Sequence, residues 1–198
     1  MLLGSLLPVK TEQDRSSERR ALLDRLSDVS RKAFPGVEVL IYEASPSFNA
    51  QAFSVRGQRI VTLFGGLAFN KRLGKDGLLF AILHEIGHHL APGPRITRTN
   101  TLSCDCAADR WAIGEGRDVV LFHGLTLEIK SALNEIEAAM SELGGAFDLT
   151  AGCWCFDWAR RKITLTSPFL NPISQCEYRI RLDNDLGGNN GRSDSEQR

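Results

Sequence analysis

Two histidines four residues apart, His84 and His88, with Glu85 directly after the first, are the residues whose types and spacing most directly suggest chemistry. On a helix, side chains four apart stack one turn above each other, so the two imidazoles would face the same way. A pair at that spacing can share one zinc ion, at about 2.0–2.1 Å per nitrogen. Glu85 then lies beside the ion, placed to contact a metal-bound water and not the metal itself. The plain alternative is a surface helix with a solvated glutamate and two incidental histidines. Against it, the motif sits in an apolar run, and three of the four histidines of the chain fall inside that run. His89 points about 100° away from His88 and reads as a supporting or surface imidazole, not a ligand.

The helix that must carry these groups is legible on its own. Leu79, Ile82, Ile86 and Leu90 recur at spacings of three and four, which makes one apolar stripe. Ile86 lies two residues from each histidine, roughly 200° around the helix. The fold is expected to grip that side while the imidazoles leave the other. Asp76 is placed to cap the helix start, and Ala91-Pro92-Gly93-Pro94 ends it, because proline cannot continue the backbone ladder.

A catalytic zinc takes three protein ligands and leaves one position for water. The third must come from outside the motif helix. Downstream, Cys104 to Ile113 reads as another helix, with Asp105 and Asp109 four apart and Cys104 and Cys106 flanking the first. Carboxylate and thiolate both bind zinc, so Asp105 and Cys106 are both open; two solvated carboxylates are the ordinary alternative.

The segment Asp105-Cys106-Ala107-Ala108-Asp109-Arg110-Trp111-Ala112 resembles the Glu-x-x-Ala-Asp-x-x-Ala helix of gluzincin metallopeptidases. Upstream, Phe48-Asn49-Ala50-Gln51-Ala52-Phe53, Gly57 with Arg59-Ile60-Val61-Thr62, and Gly65-Gly66-Leu67 are similar to a strand region of the M48 (HtpX-like) peptidases. The resemblance covers roughly residues 37–115. It implies a zincin-like α+β fold, a small mixed sheet packed on the motif helix and further helices, without that family's membrane helices. It implies one Zn2+ held by His84, His88 and Asp105, with Glu85 as general base and Asp109 supporting a ligand histidine. It also implies that Asn49 and Ala50 belong to an edge strand on which a peptide or protein substrate lies. Two departures stand out. Asp105 replaces a glutamate and is one methylene shorter. Thr166-Ser167-Pro168 and Arg179-Ile180 resemble a Thr-His-Pro segment followed by Arg-Ile, with Ser167 in place of the histidine; Arg179 is the expected second catalytic residue, stabilising the oxyanion.

The remaining chain supplies the frame. Thr11 to Phe34 is expected to form an N-terminal helix, with Leu22, Leu26, Val29 and Ala33 as its stripe. Val37 to Glu43 reads as a strand, and Ala50–Val55 with Gln58–Phe64 as a hairpin turned at Arg56-Gly57. Leu67 to Leu73 reads as a short helix. Leu125 to Leu143 repeats apolar groups at helical spacing, stopped by Gly144-Gly145. Trp154, Phe156 and Trp158 read as packing residues, Lys162–Thr166 as a short strand or loop, and Tyr178–Leu182 as a closing helical turn. Residues 1–182 are read as a single domain and 183–198 as a disordered tail.

Composition limits the function classes. In 198 residues, 24 basic groups balance 24 acidic ones without a block of one sign. That gives no electrostatic support for a nucleic-acid or membrane-surface partner. No apolar run approaches the length of a membrane span, and the first residues lack a signal peptide's basic start, so a cytoplasmic protein is expected. Five cysteines, at 104, 106, 153, 155 and 176, are an odd number and read as reduced, mostly buried thiols. The expected function is zinc-dependent endopeptidase. The rivals are a regulatory metallopeptidase of the ImmA/IrrE type, although no helix-turn-helix is visible, and a zinc-binding interaction protein that does not cleave.

Overall fold

A computed structural model describes residues 11–95, 101–143 and 165–166. It is a mixed α/β arrangement: a three-stranded sheet on one side of a long buried helix, and further helices on the others. Strand β1 (Val37–Tyr42) is rich in β-branched and apolar residues and runs parallel to β3 (Gln58–Phe64). Strand β2 (Ala50–Val55) returns antiparallel on the other side of β3, giving the order β1-β3-β2. The hairpin turns at Arg56 and Gly57, both at positive φ (50° and 84°), the combination that matches the right-handed twist of the flanking strands. Val39, Val61 and Leu63 point inward, together with Ala50 and Ala52.

The motif helix spans Lys75–Leu90. It follows helix α1 (Ser17–Ala33) and the single turn α2 (Gly65–Ala68) in the chain, and is therefore α3. Every residue of α3 from Asp76 to His89 is buried, so the expected one-sided grip is corrected. The physical reason is in Gly77-Leu78-Leu79-Phe80-Ala81-Ile82-Leu83, which has no polar face; a helix that is apolar all round belongs inside the protein. It packs on β2 and β3, and against the later helices α4 (Asp105–Trp111) and α6 (Ile129–Glu142).

Several expected boundaries move. The N-terminal helix starts at Ser17, with the Ser16 hydroxyl accepting the Arg19 N–H. The residues before it run beside 69–71 instead: Asp14 N–H donates to Phe69 O (2.7 Å) and Lys71 N–H to Glu12 O (2.9 Å). Arg19 is buried there and donates to the carbonyls of Asn70 and Leu73. The short helix spans Gly65–Ala68, not Leu67 to Leu73, and its first two residues, Gly65 and Gly66, lie against the carbonyls of Glu43 and Pro46 at distances no Cβ could tolerate. Helix α4 leads through a wider turn, Ala112–Gly116, kinked at Gly114 (φ −103°, ψ −106°), into α5 (Arg117–Phe122). The last long helix starts at Ile129; Leu125 and Leu127 are buried in the non-helical connection before it.

Asp76 does not cap α3; Gly74 holds that position without a side-chain bond. The free N–H groups at the start of α3 are satisfied from another element. Glu135 of α6 accepts the N–H of Gly74 (2.8 Å) and of Gly77 (2.7 Å). Asp76 in turn accepts the N–H of Glu128, the residue before α6 (3.1 Å). Each helix thus supplies a carboxylate to the amide groups at the other's start, where unpaired donors and the helix dipole both favour negative charge.

The packing residues at 154–158, the turn at 178–182 and the tail at 183–198 lie outside the described residues. Of 162–166, Leu165 and Thr166 are described and are helical, not strand.

Candidate metal centre

Helix α3 contributes His84, Glu85 and His88, and α4 contributes Asp105 and Asp109. What lets the two helices meet is Gly87. A Cβ built on it would lie 2.8 Å from the Ala108 carbonyl oxygen and 2.9 Å from its Cα. Glycine on one helix against alanine on the other lets the backbones touch. Gly87→Ala is expected to push α4 outward and lower stability by about 1–3 kcal/mol, the usual cost of overpacking. Urea unfolding measures the stability loss, and metal titration of the folded variant reads the displacement of Asp105.

At the crossing, His84 Nε2 lies 3.6 Å and His88 Nε2 3.9 Å from Asp105 Oδ1. The three ligand atoms all fall within 4.8 Å of one another. Donors each about 2.1 Å from one tetrahedral ion would be roughly 3.4 Å apart, so the separations match a shared cation within a small adjustment. All three residues are buried. A buried His-His-Asp triad of this geometry could hold a metal ion.

The outer ring nitrogens are tied back. His84 Nδ1 donates to Asp109 Oδ1 at 2.6 Å, and His88 Nδ1 to the Ser103 carbonyl at 2.6 Å. Neither acceptor can donate in return, so each ring carries its proton on Nδ1 and turns a lone pair on Nε2 toward Asp105. Burial, and after it the neighbouring His84, pushes His88 down from its ordinary value to about 4. It is neutral at pH 7, the form that ligates metals.

That depression has a consequence for the metal-free chain. The unfolded His88 takes up its proton near 6.5 and the folded one only near 4. As pH falls between those values the unfolded state binds more protons, so stability drops. Metal-free protein is expected to lose about 2–3 kcal/mol of unfolding free energy between pH 7.5 and 4.5 from this group, at about 1.4 kcal/mol per pKa unit. Urea denaturation at the two pH values checks it. His89, also lowered by burial, adds in the same direction.

Glu85 is completely buried, and among the described residues neither carboxylate oxygen has a hydrogen-bond partner. A buried carboxylate left in that condition is costly. A cation at the adjacent triad, with water on it, is the partner its position suits, and in that sense the residues present fit a metal.

The other expected site residues divide. Cys106 is held in a disulfide, so the expectation of reduced thiols is corrected there, and its sulfur is not a thiolate ligand in this state. Cys104 is buried and keeps its thiol. His89 is not at the surface: it is 6% exposed and donates from Nε2 to Ile60 O on β3 (3.1 Å), pinning α3 to the central strand. Asn49 and Ala50 are buried at the start of β2, which pairs with β3 alone among the described strands. Arg179, Ser167 and the cysteines at 153, 155 and 176 lie outside the described residues. His123 follows α5, exposed and edge-on to Phe122, far from any role assigned above. Ser103 was not expected at the site. It acts through its backbone carbonyl, which no residue pattern marks.

Compared with known protein families, with curated proteins and with solved structures, the chain matches none. Among the described residues no helix is long and apolar enough to cross a membrane.

Proposed function

We propose that this chain is a zinc-dependent endopeptidase with a zincin-like fold, related to the gluzincins that the sequence resembles. The observation that carries this reading is the buried carboxylate of Glu85, without a hydrogen-bond partner among the described residues, beside converging His84, His88 and Asp105. A site built only to store a cation has no use for a fourth residue at that position, an unligated carboxylate.

His84, His88 and Asp105 would hold the ion, two nitrogens and one oxygen, a donor set that suits zinc and leaves a position open. Zinc bound there supplies Lewis acidity, lowering the pKa of water to about 7 and polarising the scissile carbonyl. Glu85 takes the proton from the attacking water and passes it to the departing amine. Asp109 and the Ser103 carbonyl keep the two imidazoles in the ligating tautomer. Arg179 would assist the oxyanion, as the resemblance implies. The side of β2 away from β3, which pairs with no other described strand, suits a peptide added as a further strand, bound through its backbone.

A broad peptide library tests the reading. Cleavage that stops with chelator and returns with zinc supports it. Stoichiometric zinc binding with no cleavage at all would favour the non-catalytic reading that the Glu-to-Asp and His-to-Ser departures motivate.

A further inference from the structure

Ser103 has no exposed surface, and four hydrogen bonds converge on it. Its N–H donates to the His88 carbonyl (2.7 Å), while its own carbonyl accepts from His88 Nδ1 (2.6 Å). One residue therefore holds both the backbone and the ring of a single candidate ligand. Its hydroxyl donates to Ala91 O (2.6 Å) and accepts from Arg95 Nη1 (3.0 Å). The His88 and Ala91 carbonyls are at the C-terminal end of α3, where backbone acceptors lack partners within the helix. Next to this joint Cys104 N–H donates to Pro94 O (2.8 Å), and Asp105 follows as the first residue of α4.

We propose that Ser103 is a positioning residue for the metal centre, the single joint that sets the ring angle of His88 and the entry of Asp105 together. The proposal rests on the reading of His84, His88 and Asp105 as a metal site, and not on what the site cleaves. The backbone bonds orient the ring; the hydroxyl holds that backbone in place by anchoring it to Ala91. Removing the hydroxyl alone leaves every ligand in the chain but loosens two of them at once. Loss of a group that orients a metal ligand typically weakens affinity about 10–100-fold.

The test uses the full chain and Co2+, whose visible absorption reports coordination geometry. Ser103→Ala is expected to bind Co2+ about 10–100-fold more weakly, with an altered spectrum, in protein shown folded by circular dichroism. A role in folding alone would lower the urea midpoint of the metal-free protein and leave both readouts of the folded form unchanged; that result overturns the proposal. If Ser103→Ala does not fold, Arg95→Met, which removes the outer bond to the hydroxyl together with the Arg95 bond to the Thr101 carbonyl, takes its place. A several-fold loss of affinity with a shifted spectrum then supports the proposal, and wild-type behaviour overturns it. If the unaltered chain fails to bind Co2+, the metal-site reading itself is lost, and the Ser103 proposal with it.

Discussion

Glu85→Gln is expected to keep the metal and abolish peptide hydrolysis, with a fall of about 100- to 10,000-fold, the range a positioned general base supplies. The substitution is nearly isosteric. It exchanges a carboxylate that is buried and without a hydrogen-bond partner among the described residues for a neutral amide. An amide does not accept the proton from an attacking water, so the chemical step fails while the ligands stay in place. The same change removes a buried carboxylate that has no hydrogen-bond partner among the described residues, so the metal-free variant should be no less stable than the parent. Metal content by elemental analysis and cleavage rate, measured on one preparation, separate the two effects. Turnover at the parent rate would remove Glu85 from the mechanism.

Asp105→Ala should do the reverse and strip the metal. It removes the only carboxylate oxygen of the triad, the one lying 3.6 and 3.9 Å from the two imidazole nitrogens. Affinity is expected to fall by more than the roughly 10–100-fold that follows loss of a merely orienting group, so that zinc no longer co-purifies. Cys106→Ala is the control. Cys106 is engaged in a disulfide, so its loss is expected to lower stability by about 2–5 kcal/mol, as for other native disulfides, and to leave metal stoichiometry at one. If the cysteine variant loses the metal while the aspartate variant retains it, the ligand assignment is wrong.

These expectations depend unequally on sequence and on tertiary structure. The motif helix could be read because its two signals, an apolar run and a four-residue His spacing, are both local. The hairpin at Arg56-Gly57 was readable for the same reason: the turn chemistry occupies two residues. Asp105 stood level with Cys106 on chemistry alone, and resemblance favoured it. The structure adds that its carboxylate meets both imidazoles while the cysteine sulfur is engaged elsewhere. Boundaries failed where a distant element supplied what the local sequence lacked. Local sequence points to Asp76 as the cap of α3 because an acidic residue there is an ordinary cap, but the carboxylate that serves those amides is Glu135, fifty-eight residues beyond Gly77.

From the amino acids alone came the identities of the chemistry-bearing groups and the helix that displays two of them, since a period of 3.6 residues places His84 over His88 whatever surrounds them. Tertiary structure decided the rest of the centre. Gly87 against Ala108 sets how near α4 lies, Ser103 and Asp109 set the ring tautomers, and full enclosure of α3 holds His88 neutral at pH 7. Those are properties of contacts between segments. Contact between segments is what burial of apolar surface selects, and it leaves no periodic trace in the order of the residues.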